Sequence, residues 1–302
     1  MSEPTIAIAI ATSGRREVLR ETLVEIDRQT RRPDWVGVCP AAPEDLDMEA
    51  AAALPFQVDV VTSSQRGLCH QRNALITLYE RSDIILFLDD DFVMAEDYIE
   101  NCVRVFRDIP DVALLTGFVI EDGVTGPGFT TEYALRVLAR DRDALVASPL
   151  DDERLAPIYN GYGCNLAVRT AVLRENEIMF DEALKLYTWL EDVDFSRRVA
   201  RHGRQVKTDR CRGVHMGVKR GRTSGLRLGY SQIANPVYLL RKGTMGLKPA
   251  VLQMGRNLLA NFVRIARPEP WVDRRGRVKG NLLALGDLIV GRLRPARVSE
   301  LE

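Results

Sequence analysis

The sequence of 302 residues contains no run of the roughly 18 to 20 consecutive apolar residues that a membrane-spanning helix requires, so no spanning helix is expected. It has no C-x-x-C pair. Its five cysteines, Cys39, Cys69, Cys102, Cys164 and Cys211, are widely spaced and odd in number, which excludes a zinc ribbon or a dithiol redox centre and reads as reduced thiols. It has no net charge, with 42 basic against 42 acidic residues, so no overall field draws it to nucleic acid. It has no basic segment at Met1 to Pro4, and the apolar stretch from Ile6 to Ala11 is too short for a secretory core, so a cytoplasmic protein is expected. Internal repeats and low-complexity segments are missing as well.

The charge that is present is uneven. From Thr223 to Glu302 there are 14 Lys and Arg against 5 Asp and Glu, a basic tail on an acidic body. The expected division is a body over 1–222, split near residue 92, and a helical extension over 223–302.

The body alternates strand and helix. Thr5 to Thr12 reads as a buried strand, Arg16 to about Gln29 as a helix, Trp35 to Cys39 and Phe56 to Thr62 as strands, Cys69 to Tyr79 as a helix and Asp83 to Leu88 as a strand. This predicts a parallel sheet with helices on both faces, and ligands collect at the carboxyl ends of such strands. Beyond Asp91 the pattern becomes mixed: a helix at Ala95 to Phe106, a strand at Val112 to Ile120, a helix at Glu132 to Leu145, an alternating stretch Tyr159 to Val168, a short helix Thr170 to Asn176, a helix Glu191 to His202 and a strand Arg204 to Thr208. His215 is expected in a small loop after that last strand. Three helices, near 226–242, 248–266 and 280–291, fill the tail.

Asp89, Asp90 and Asp91 stand side by side at the end of a buried strand. Adjacent carboxylates repel, and a hard divalent cation, Mg2+ or Mn2+, relieves them while leaving coordination positions for diphosphate oxygens. The competing reading is a cluster capping the helix after Ala95.

Other segments separate the two. The opening strand Ile6 to Thr12, the run Arg66-Gly67-Leu68-Cys69-His70-Gln71-Arg72-Asn73, the motif Phe87-Leu88-Asp89-Asp90-Asp91, Gly161-Tyr162-Gly163-Cys164-Asn165, and Trp189-Leu190-Glu191-Asp192-Val193-Asp194 occur in that order. As an ordered set they resemble glycosyltransferase family 2. The resemblance implies a GT-A fold, an α/β architecture with a Rossmann-like nucleotide-binding half and a mixed central sheet, and an inverting hexosyl or deoxyhexosyl transfer from a nucleotide-diphosphate sugar. It implies that Asp89 meets the ribose and that Asp91, with Asp89 and His215, holds Mn2+ or Mg2+. Asp90, Thr12, Ser13, Arg15, Arg66, Arg72 and Asn73 fall on the nucleotide side, Gly163 and Trp189 beside the sugar, and Asp192 in the place of the catalytic base. A base must take the acceptor's proton within hydrogen-bond reach, whereas acids at a helix start also serve as caps. The acid that family members carry after the second strand is missing from Val36-Gly37-Val38-Cys39-Pro40, which leaves uridine, thymidine and guanosine donors equally open.

In the tail, 248–267 spaces Val251, Leu252, Leu258, Leu259, Phe262, Val263 and Ile265 at helical intervals among Arg256, Arg264 and Arg267. One reading is an interfacial helix that holds the protein on the inner face of the cytoplasmic membrane; the other is packing on the body. The tail's resemblance to polysaccharide-assembling members favours a glycan or lipid-linked saccharide as acceptor. An oligomer is compatible with the composition. Two alternatives from other classes are a sugar nucleotidyltransferase, which needs a Gly-rich basic loop where Thr12-Ser13-Gly14-Arg15-Arg16 stands, and a catalytically silent sugar-binding protein.

Overall fold

The computed structural model describes residues 3–147, 155–186, 188–221 and 223–301. Among these, nine strands form one sheet: β1 Ile6–Thr12, β2 Trp35–Pro40, β3 Val58–Val60, β4 Ile84–Asp89, β5 Phe92–Met94, β6 Val112–Asp122, β7 Leu155–Pro157, β8 Asn165–Arg169 and β9 Arg204–His215. Ten α-helices accompany them: α1 Arg16–Asp27, α2 Met48–Ala52, α3 Leu68–Leu78, α4 Tyr98–Asp108, α5 Thr131–Ala147, α6 Thr170–Glu175, α7 Glu191–Val199, α8 Gly225–Lys242, α9 Leu247–Arg264 and α10 Arg274–Ile289.

The order β3-β2-β1-β4-β8-β6-β9-β5 is parallel through β4, where β1 pairs with both β2 and β4, and mixed beyond it, since β8 runs antiparallel to β4 and to β6. Two-fold alternation along β1 explains its unbroken apolar sequence. Ile6, Ile8 and Ile10 face one core with Leu19, Leu23 and Ile26 of α1, while Ala7 and Ala9 face another with Leu75 and Ile76 of α3 and Phe195 of α7. A strand covered on both sides needs no polar face.

Four expectations are corrected. The stretch after Asp91 is the short strand β5, and the helix behind it starts only at Tyr98, so Asp89 to Asp91 do not cap a helix. Residues 159–164 turn rather than extend, with the strand confined to β8. β9 runs through to His215, which therefore ends a strand instead of sitting in a loop, held by pairing with Phe92 on β5. The last tail helix also begins earlier than the periodicity indicates, at Arg274, with Asp273 accepting from the Gly276 N–H as its cap.

The C-terminal helices have a core of their own, built on Tyr230, Ile233, Ala234 and Ala284. α8 and α10 approach closely enough that a Cβ at Gly229 would lie 2.1 Å from the Arg277 carbonyl oxygen, and one at Gly280 2.1 Å from that of Leu226. They are tied to the sheet through α7. The fully buried Asp194 carboxylate accepts from Arg198 at 3.0 Å, from Lys242 at 2.8 Å and from the Thr244 hydroxyl at 2.7 Å. Among the described residues no helix is long and apolar enough to cross a membrane.

Candidate active site

The acidic run occupies the reversal between β4 and β5, where successive side chains diverge. Asp90 turns inward: it accepts from the Thr12 hydroxyl at 2.6 Å and pairs with Arg15 at 2.7 Å. Asp89 and Asp91 turn the other way and meet His215, with one ligand atom from each of the three residues lying within 4.8 Å of the others. Asp91 is 1% exposed, and its Oδ2 accepts from the Val218 N–H at 2.8 Å. Its Oδ1 is buried with no hydrogen-bond partner and faces His215 Nε2 at 3.4 Å. An orphaned carboxylate oxygen in such surroundings is costly.

A divalent cation would answer that cost. Asp122 holds His215 Nδ1 at 2.9 Å, which orients the ring and turns Nε2 toward Asp91, the arrangement seen behind metal-binding imidazoles. Burial opposes a charge on His215, but Asp122 and Asp91 outweigh it and raise its pKa to about 10, the same negative surroundings that would attract a cation. Asp91 is held down to about 2 against burial by His215 and Arg15. Two carboxylates and one imidazole suit Mn2+, with Mg2+ less favoured by the nitrogen.

The second acidic motif opens α7. Leu190 adopts the left-handed conformation, φ 74°, and this twist turns Glu191 and Asp192 into the same cleft as Asp91. Asp192 accepts from the Val193 N–H at 2.8 Å and the Gly163 N–H at 3.2 Å, and burial raises its pKa. Arg72, 3% exposed on α3, joins the two motifs: its guanidinium lies 3.0 Å from Asp89, 3.2 Å from Glu191 and 2.9 Å from the Gly163 carbonyl, above the ring of Phe180. Burial and Asp192 push Glu191 up to about 7, with Arg72 opposing.

Thr12, Ser13, Arg15, Arg66, Arg72, Gly163, Trp189, Asp192 and His215 all line one cleft of about 800 Å3 with the acidic run. Arg15 is engaged by the protein, donating to the carbonyls of Val218 at 2.8 Å and Arg220 at 2.7 Å besides Asp90. Asn73 does not reach the cleft. Its amide donates to the Phe180 carbonyl and to Glu182 while its oxygen accepts from the Phe180 N–H, which pins the 180–182 chain to α3.

Residues 4–209 match the protein family described as "Glycosyltransferase like family 2". The chain belongs to this family. No curated protein matches it. Among solved structures it is similar to residues 1–349 of S. aureus TarS in complex with UDP-GlcNAc, with 17% identity, a TM-score of 0.57, and coverage of 98% of this chain and 83% of that one. It is similar to the mannosyltransferase PcManGT from Pyrobaculum calidifontis in complex with GDP-Man and Mn2+, with 16% identity, a TM-score of 0.57, and coverage of 99% and 86%. Against a longer TarS chain, the match spans 40% of that chain's length. At these identities the likeness establishes the GT-A-type fold with its C-terminal helices.

Two parts of this glycosyltransferase family 2 site draw on residues to which the motifs assign no role. Tyr162 donates to Asp122 at 2.8 Å, so the pair that steadies His215 comes from the end of β6 and the turn before β8. The only signal in sequence is a polar residue closing an apolar strand. Arg227, Met245, Pro249, Gln253 and Ser299 from the C-terminal region also line the cleft, a convergence that no local pattern encodes.

Proposed function

We propose that this chain is an inverting, metal-dependent glycosyltransferase that moves a sugar from a nucleotide-diphosphate donor to a hydroxyl of a glycan or lipid-linked saccharide. The observation that supports it most is that one cleft holds both the Asp89, Asp91 and His215 cluster and Asp192, bridged by a single arginine. Asp89, Asp91 and His215 would hold Mn2+ or Mg2+, which when bound neutralises the departing diphosphate. Asp192 takes the acceptor's proton. Its two backbone donors fix the carboxylate's orientation, and its raised pKa gives it more basicity than an exposed aspartate has. Arg72 holds Gly163 and Glu191 in place around that carboxylate, and Trp189 lines the same cleft.

The TarS fragment was solved with UDP-GlcNAc and PcManGT with GDP-Man and Mn2+, and because Val36 to Pro40 carries no acid, neither kind of donor is singled out. A sugar nucleotidyltransferase is disfavoured because Arg15, the cation of the loop after β1, is occupied by Asp90 and two carbonyls. The test is a thermal-shift screen of uridine, thymidine and guanosine diphosphate sugars with Mn2+, followed by NMR of the product anomer. One donor should stabilise the protein and give an inverted linkage. A retained anomer, or full turnover by both Asp91→Ala and Asp192→Ala, would overturn the proposal.

A further inference from the structure

Helix α9 turns its apolar side outward. It buries Ala250 and Asn261, whereas Leu247, Val251, Leu252, Leu259, Phe262 and Val263 are between 45% and 67% exposed. At about 100° per residue these six fall within an arc of roughly 160°, with Lys248 inside the arc and Arg256 at its edge. From 247 to 267 the sequence carries no acid. Glu269 holds Arg264 at 2.7 Å, but among the described residues no carboxylate pairs with Lys248, Arg256 or Arg267. Elsewhere on its surface the same helix meets the catalytic cleft, which Pro249 and Gln253 line together with Met245 just before it.

We propose that α9 docks the protein on an anionic lipid bilayer, its apolar face sunk into the headgroup boundary and Lys248, Arg256 and Arg267 against lipid phosphates. The charge argues for this occupant over a second copy of the chain. A two-fold contact along α9 would set an acid-free basic face against itself, whereas an anionic bilayer supplies the missing counter-charge. Because the helix that lies on the lipid also walls the cleft, an acceptor saccharide carried on a lipid reaches the site without leaving the bilayer. That last step rests on the transferase reading; the docking itself does not.

The test is co-sedimentation of the full-length protein with vesicles of phosphatidylcholine alone and of phosphatidylcholine with about one third phosphatidylglycerol. Binding is expected to the anionic vesicles and to weaken with salt. The charge variant Arg256→Gln/Arg267→Gln should bind about thirtyfold more weakly, and Leu259→Glu/Phe262→Glu should not sediment. All four side chains are exposed, so circular dichroism and melting temperature should be those of the parent. Absence of vesicle binding, binding unchanged in both variants, or a dimer in light scattering that Leu259→Glu/Phe262→Glu dissolves would each overturn the docking. Mn2+-dependent donor hydrolysis in solution, measured in parallel, separates the two proposals. Hydrolysis without vesicle binding removes the docking alone, and vesicle binding without turnover of any donor removes the transferase reading alone.

Discussion

Replacing Arg72 by methionine keeps most of the apolar stem that packs near Phe180 and Phe87 but removes the guanidinium from Asp89, Glu191 and the Gly163 carbonyl. Stripping one partner from a buried ion pair costs about 3–5 kcal/mol. Two carboxylates share this guanidinium, yet the cost does not double, because either can escape by taking a proton. Over 302 residues the unfolding entropy is about 0.6 kcal/mol per kelvin, so the melting temperature should fall by about 5–8 °C. The loss should depend on pH with a definite sign. Burial already raises the pKa of Asp89 and Glu191 in the folded protein, and losing Arg72 raises both further. Below those folded values the groups are protonated and need no counter-charge; above them the missing charge is felt in full. The gap between parent and variant should therefore be wider at pH 8 than at pH 5, measured by differential scanning calorimetry with chelator present. Mn2+ should recover part of it by neutralising Asp89 and leave the Glu191 share. Equal melting temperatures at pH 8, or a gap that widens as pH falls, would refute the claim that this arginine couples the two acidic motifs.

Asp192→Asn should lower kcat by about 10^2 to 10^4 while leaving donor affinity intact, measured by product formation and calorimetry. In the parent enzyme, activity should fall on the acid side at a pH above the ordinary aspartate value of 3.8, because the base works only deprotonated and burial raises its pKa. Asp91→Asn should abolish stabilisation by Mn2+; in the parent, a hundredfold excess over Kd adds about 2.7 kcal/mol, or about 4 °C. Asp194→Asn should lower the melting temperature by about 2–5 °C, from about 1–3 kcal/mol of weakened hydrogen bonding, since Lys242 keeps Asp181 as a partner.

The parallel half of the sheet was legible because burial on both faces leaves a plain mark: β1, β2 and β4 are near-continuous apolar runs followed by turn or acidic residues. The mixed half was harder to place. β9 changes from Arg204 onward through Lys207, Asp209, Arg210 and Arg212, a polar stretch whose strand conformation comes from pairing with β6 and β5 rather than from local propensity. The resemblance points to His215 as a metal ligand, while Gly213 and Gly217 on either side of it read as a loop. Asp122 gives no signal, and Tyr162 lies in a motif without its role being legible, because that role depends on three chain segments meeting at one imidazole. Asn73 shows the opposite failure: it sits one residue after Arg72, yet a 100° step around the helix sends its amide to residues 180 and 182 instead of the cleft.

The site's chemistry is best located by asking which acidic oxygens the protein has not already answered. Among the described residues five carboxylates line the cleft, and most are taken up internally. Asp90 is satisfied by Thr12 and Arg15, and Asp89 shares Arg72 with Glu191, which fastens one motif to the other. Two carboxylates are held without being satisfied. Asp91 is positioned through its Oδ2 while its Oδ1 accepts no hydrogen bond and faces only the His215 imidazole, and Asp192 is aimed by two backbone N–H groups with no arginine of its own. A fold that spends guanidinium on the neighbours of these two groups and not on their open edges is not simply relieving repulsion. It keeps one carboxylate edge facing only an imidazole, where the proposed cation and its diphosphate would lie, and another held only by backbone N–H groups, where a hydroxyl would lose its proton, while Arg72 ties the two motifs together.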